Sequence, residues 1–140
     1  MALLVDASVF ITLERRGVPP SDVNIVVPGE SLVVASMTAA ELLIGVHRAD
    51  TPARRLRRAT YVEGVLSLLP LVPFDLDAAR AHAQVWAHLA VNGAPIGPND
   101  LIIAATALSR GHQVLTDNLR EFQRVPGLVV RQPDWPDRRG

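Results

Sequence analysis

The sequence predicts an α/β fold built on a parallel sheet, and three observations carry that prediction. Short β-like runs alternate with longer runs of helical period, no internal repeat or low-complexity linker interrupts them, and 140 residues with 49% apolar content suit one packed domain. The first strand is Leu3 to Asp6. A helix follows it, capped by Asp6 or Ser8, and fades before Gly17 and the Pro19-Pro20 pair. After a loop or short helix to about Pro28, SLVVAS forms a second strand, and Thr38 opens a helix to about Arg48 with Leu42, Leu43 and Val46 on one face. Pro52 starts the next helix, whose apolar side carries Leu56, Val62, Val65, Leu66 and Leu69, and Pro70 ends it before the strand LVPF. A long helix from Asp77 to about Asn92 stops at Gly93. Beyond the turn GAPIGP, a helix from about Asn99 to Ser109 closes on Gly111, expected to be left-handed. QVLT is then a strand, DNLREFQRVPG a polar loop or short helix, and GLVVR an edge strand. The two prolines of QPDWPDRRG mark a surface tail, so the domain is expected over 1–132 and the tail over 133–140.

Composition excludes whole classes of chemistry. Without cysteine there is neither a disulfide framework nor a thiolate, and a cytoplasmic setting is expected. All 14 basic residues are Arg, which rules out a Walker lysine or a Schiff base. The start, MALLVDASVF, lacks the basic opening and long apolar run of a signal peptide, and no run reaches the roughly 18 apolar residues that span a bilayer. Formal net charge is zero, so bulk charge does not hold this chain on nucleic acid. Charge is uneven, however: HRADTPARRLRR sets Arg48, Arg54, Arg55, Arg57 and Arg58 against a single Asp50, either as a solvated helix face or as a phosphate-binding surface.

Four acidic positions stand out against this frame: Asp6, Glu41, Asp100 and the Asp117-Asn118 pair. Asp6 closes a strand, Asp117 and Asn118 follow one, Asp100 opens an apolar helix, and Glu41 sits one turn into the helix after the second strand. The carboxyl ends of strands in an open α/β sheet form the ligand crevice, where residues far apart in sequence converge. Carboxylates gathered there repel one another, which raises pKa values or calls for a cation, and an all-oxygen donor set suits Mg²⁺ or Mn²⁺ rather than zinc. Each has a structural alternative: Thr38 to Glu41 matches a capping box, Asp100 favours a helix dipole, Asp6 is a helix cap, and Asp117 or Asn118 forms an Asx turn.

Taken together, LLVDASVF, TAAELLIGV, NDLIIAATALSRG, VLTDN and EFQRVPGL resemble, in order and spacing, the successive motifs of PIN-domain proteins, particularly the VapC-type toxins of type II toxin-antitoxin pairs. The likeness runs from residue 3 to about residue 130. It implies a three-layer α/β/α fold with a central, mainly parallel sheet of four to five strands. It also implies an Mg²⁺-dependent endoribonuclease, with Mn²⁺ able to substitute, whose catalytic and metal-binding residues are Asp6, Glu41, Asp100 and Asn118. The family places Asp or Asn at the last position; with Asn here, one charge is lost, and Asp117 beside it either compensates or faces solvent. Ser8 and Thr116 match small hydroxyl residues kept near the site, where they orient a carboxylate or phosphate, or serve only as cap and turn former. The partners implied are RNA, a VapB-type antitoxin seated in a groove beside the site, for which Leu13, Leu43 and Val46 are candidate walls, and a second copy in a homodimer.

Rival classes lack their residues. A receiver domain needs a Lys and a second acid beside Asp6, a haloacid-dehalogenase-type phosphatase an acid at the place of Ser8, and a dinucleotide fold a GxGxxG after the first strand. His82 and His88 fall on different helix faces and are expected to be packing or surface residues, like Trp86 and Trp135. The alternative from another class is a non-catalytic PIN-fold module that binds RNA or a partner without cutting.

Overall fold

The computed structural model describes residues 1–136. Five strands, β1 (Leu3–Val5), β2 (Leu32–Ala35), β3 (Leu71–Val72), β4 (Gln113–Leu115) and β5 (Val130–Arg131), form one sheet in the order β3-β2-β1-β4-β5. Every pairing is parallel, with Leu4 opposite Val33 on one side and Val114 on the other. Helices α1 (Ala7–Arg15), α2 (Ser36–Arg48), α3 (Pro52–Leu68), α4 (Leu76–Val91), α5 (Pro98–Arg110) and the short α6 (Leu119–Phe122) connect them, with a 3-10 helix over Pro20–Val26.

Alternation along the strands explains the layers. Successive side chains of a strand point to opposite faces, so a sheet apolar on both faces needs a helical layer on each. Leu3, Val5, Leu32, Val34 and Leu115 pack with Phe10 and Leu13 of α1, Leu42 of α2 and Val62 of α3. Leu4, Val33, Ala35 and Val114 pack against Val85 and Leu89 of α4, Ile103 of α5 and Phe122 of α6. This is the expected three-layer α/β/α arrangement. Two glycines are required by shape: Gly111 ends α5 at φ +67°, and at Gly64 a Cβ would stand 2.8 Å from Pro20 Cγ, so α3 and the 3-10 helix meet only because that position is bare.

Helix starts decide the fate of the capping alternatives. α2 begins at Ser36, not Thr38, because the chain turns as soon as Ala35 leaves the sheet; this puts Glu41 in the second turn, past the reach of a capping box. Asp6 does occupy the N-cap of α1, yet its side chain makes no capping bond. Strand order reverses between β1 and β4, and at such a switch point the two connections diverge and open a crevice at the carboxyl end of the sheet. Of the expected tail, residues 137–140 lie outside the described residues, while Trp135 belongs to the core cluster on the α1 face.

Candidate active site at the β1 and β4 switch point

Asp6 leaves β1 at that crevice and is 6% exposed. Its backbone N–H donates to Leu115 O at 2.9 Å, fixing the end of β1 to the end of β4. Two hydroxyls converge on one carboxylate oxygen: Ser8 Oγ and Thr116 Oγ1 each donate to Asp6 Oδ2 at 2.9 Å. Both carry a second duty, since Ser8 Oγ accepts the Asp117 N–H at 3.2 Å and Thr116 Oγ1 accepts the Asn118 N–H at 2.9 Å. Ser8 and Thr116 therefore orient the acid and shape the loop after β4 at once, and Thr116 rather than an Asx side chain makes that turn.

Glu41 comes from α2. Its pKa is raised by burial first and by the Asp6 charge second, while a hydrogen bond from Asn99 works the other way. Glu41 Oε1 is buried without a hydrogen-bond partner, a costly condition for a carboxylate oxygen. Asp100 lies in the first turn of α5, behind Gly97 and Pro98. Its pKa is pushed up to about 7, by burial first, then by its hydrogen bond to Glu121, then by the charges of Asp6, Glu121 and Glu41. Glu121 of α6 moves the opposite way, because it accepts from the protonated Asp100 and, through Oε2, from the Gly97 N–H at 3.3 Å.

The structure thus brings Asp6, Glu41 and Asp100 into one electrostatic cluster and adds Glu121 and Asn99, which the sequence did not single out. Glu121 hides within EFQRVPGL, where a helix-exposed Glu has no local mark; Asn99 merely precedes Asp100. Asn118 is exposed at the start of α6, and its side chain makes no hydrogen bond among the described residues. Asp117 neither joins the acids nor simply faces solvent: its Oδ1 accepts from Trp135 Nε1 at 2.8 Å and its Oδ2 from Thr12 Oγ1 at 3.4 Å.

A hard divalent cation suits this donor set. The donors are all oxygen, one of them is buried and unpartnered, and the carboxylates cannot all ionise together without a counter-charge. As the side chains stand, no three acidic or histidine groups among the described residues are disposed to close around an ion. The raised pKa of Asp100 expresses this repulsion, which a bound cation would relieve.

The arginines divide. Arg54 binds both oxygens of Asp50 at 2.8 and 2.9 Å, Arg55 donates to Ala49 O, and Arg58 pairs with Glu14 at 3.5 Å across the bare backbone of Gly45. Arg48 and Arg57 have no side-chain partner among the described residues, and both line a cleft of about 560 Å³. A second cleft of about 220 Å³ runs beside Glu41 between Phe10, Ile11, Leu42, Gly45 and Val62. Of the candidate groove walls, Leu13 and Val46 are buried in the core and only Leu43 is exposed, because the α1 and α2 faces that carry the first two close against the sheet.

A parallel sheet with carboxylates gathered at its switch point is the frame of an α/β protein built to hold a cation at that crevice, and its relatives are nucleases. The chain belongs to the PIN-domain family, whose model matches residues 3–128, and within it to the VapC ribonucleases. The tRNA(fMet)-specific endonuclease VapC of Salmonella typhimurium is 42% identical over 104 residues, covering 74% of this chain and 75% of that protein. Ribonuclease VapC1 of Rickettsia felis is 33% identical over 130 residues, 93% and 95% of the two chains. Among solved structures, DNA-bound VapBC from Salmonella typhimurium superposes with a TM-score of 0.80 at 33% identity, covering 94% of this chain and 98% of that one.

Proposed function

We propose that this chain is the toxin half of a toxin-antitoxin pair, an Mg²⁺-dependent endoribonuclease held inactive by a VapB-type antitoxin. The observation that carries it is the convergence of Asp6, Glu41 and Asp100 from three separate elements, with the charge conflict that their mutual pKa effects express. Asp6, Glu41 and Asp100 would hold the ion, with Asn118 or Glu121 completing the set, and Mn²⁺ substituting for Mg²⁺. A bound divalent cation would supply Lewis acidity, which acidifies a water nucleophile and offsets charge on the phosphate under attack and on the 3′-oxygen that leaves. Ser8 and Thr116 keep Asp6 Oδ2 occupied, so the carboxylate presents its other oxygen to the crevice. Glu121, whose own pKa is lowered, stays ionised beside Asp100 and accepts its hydrogen bond, which holds the Asp100 carboxyl in place. Arg48 and Arg57 would contact RNA phosphates, and hydrolysis would leave a 5′-phosphate.

The antitoxin is supported by solved neighbours that are VapBC complexes, and the cleft beside Glu41 offers such a segment both apolar walls, from Phe10, Ile11, Leu42 and Val62, and charged ones, from Glu14, Arg15, Glu41 and Arg58. No helix among the described residues is long and apolar enough to cross a membrane; the RNA this chain would act on is proposed to be cytoplasmic. A homodimer is part of the proposal, supported by the exposed Trp86 on α4, which lines an apolar cleft with Ile96 and Pro98. The test is cleavage of end-labelled total RNA by antitoxin-free protein, with Mg²⁺ and with EDTA, beside Asp6→Asn and Asp100→Asn. Discrete cuts that chelator and both substitutions abolish support the nuclease; RNA binding without cuts supports a non-catalytic module.

A further inference from the structure

The carboxyl-terminal segment returns to the loop after β4, and we infer that Trp135 and Asp117 form a clasp that holds Thr116 and Asn118 at the site, both acting as positioning residues. Trp135 is 1% exposed and packs in one cluster with Phe10 and Leu13 of α1. Its indole N–H donates to Asp117 Oδ1 at 2.8 Å, and the Arg16 guanidinium lies over its ring, 4.6 Å from the centroid. Thr12 donates to the other carboxylate oxygen at 3.4 Å.

Gripped on both oxygens, Asp117 has little freedom to turn, and its backbone is the piece that meets the site. The Asp117 N–H donates to Ser8 Oγ and the next N–H, of Asn118, to Thr116 Oγ1; both hydroxyls end on Asp6 Oδ2. Two short hydrogen-bond paths therefore run from the Trp135 side of the loop to the acid at the end of β1. The segment carrying Trp135 is itself tied down: the Asp134 N–H donates to Val26 O at 3.0 Å, and Arg131 pairs with Glu30 at 2.9 Å. The clasp also explains a charge that the proposed chemistry leaves unused. A carboxylate next to an acid-rich crevice adds repulsion, and here it is aimed at an indole donor instead.

The inference rests on the nuclease assignment for its catalytic consequence but not for its structural one, and the test separates them. Trp135→Phe keeps an aromatic ring in the core and removes the N–H; Asp117→Asn keeps an acceptor oxygen. For Trp135→Phe, kcat for RNA cleavage falls roughly ten-fold with KM unchanged, the scale seen when groups that orient a metal ligand are removed. Asp117→Asn loses less than Asp117→Ala, and adding Trp135→Phe to Asp117→Ala costs nothing further. On metal-free protein, hydrogen exchange at the amides of residues 117 and 118 quickens in Trp135→Phe while α4 keeps its protection. Unchanged exchange at 117 and 118, exchange that rises evenly along the chain, or an unchanged kcat overturns the clasp. Should Trp135→Phe not fold, Asp117→Ala gives the same two readouts. If the wild type cuts no RNA, the nuclease assignment falls and the exchange data alone decide the clasp.

Discussion

At the scale of single residues, Thr116 has more work than its size suggests, since one hydroxyl donates to Asp6 and accepts from Asn118. Thr116→Val keeps the shape and leaves a buried carboxylate oxygen and a backbone N–H short of partners, which should cost about 1–3 kcal/mol in urea unfolding. Activity should fall with it, and a variant as stable as wild type would deny the hydroxyl this double role. Asp100 gives a pH prediction. Its folded pKa of about 7 lies above the ordinary 3.8, so the folded state binds the proton more tightly than the unfolded chain. The resulting stability is fully present below 3.8 and is lost as pH rises through about 7. In metal-free protein, Asp100→Asn should flatten that stretch of the stability curve, and cation uptake near neutral pH should release protons, which calorimetry in buffers of different ionisation heat detects. Asp6 and Asp100 stood out in the sequence because each sits where a strand or helix end meets an apolar run, and Glu41 because it is the acid within the helix that follows the second strand. Glu121 did not, because its only mark is a contact 24 residues back at Gly97.

Elements were the most readable level. Pro52 announced the start of α3 and Pro70 its end, Gly111 announced the end of α5, and the alternation of strand and helix announced the parallel sheet. The start of α2 was misplaced by two residues because Thr38 is a good cap in isolation, whereas in the fold the turn comes where β2 runs out of partners. Leu13 and Val46 were drawn as groove walls because periodicity shows that a helix has an apolar face without saying what covers it. The contact of α3 with the 3-10 helix is set by Gly64, invisible as anything but a helix-weakening residue from sequence. Gly64→Ala forces a Cβ to within 2.8 Å of Pro20 Cγ, and overpacking of this kind should lower stability by about 1–3 kcal/mol in thermal or urea unfolding. No loss would mean that the 3-10 helix yields freely.

Over the whole molecule, charge and topology decide how a neutral chain handles a polyanion. Arg54 and Arg58 line the cleft paired with Asp50 and Glu14, so the charge there that no acid offsets is that of Arg48 and Arg57. Arg48→Ala and Arg57→Ala should each raise KM for long RNA and reduce the slope of log affinity against log salt by about one, with kcat little changed; equal slopes for variant and wild type would place the RNA elsewhere. The sheet order has a consequence in time as well as in space. β1 finds its neighbour β4 only after the three helix-bearing connections between them have been made, and the second of the two hydroxyls on Asp6, that of Thr116, arrives 110 residues later. A polypeptide still being threaded from the ribosome therefore carries Asp6 and Glu41 before Asp100, Thr116 or Glu121 exists, so the destructive capacity of this fold is withheld from the machine that makes it until α6 has been added.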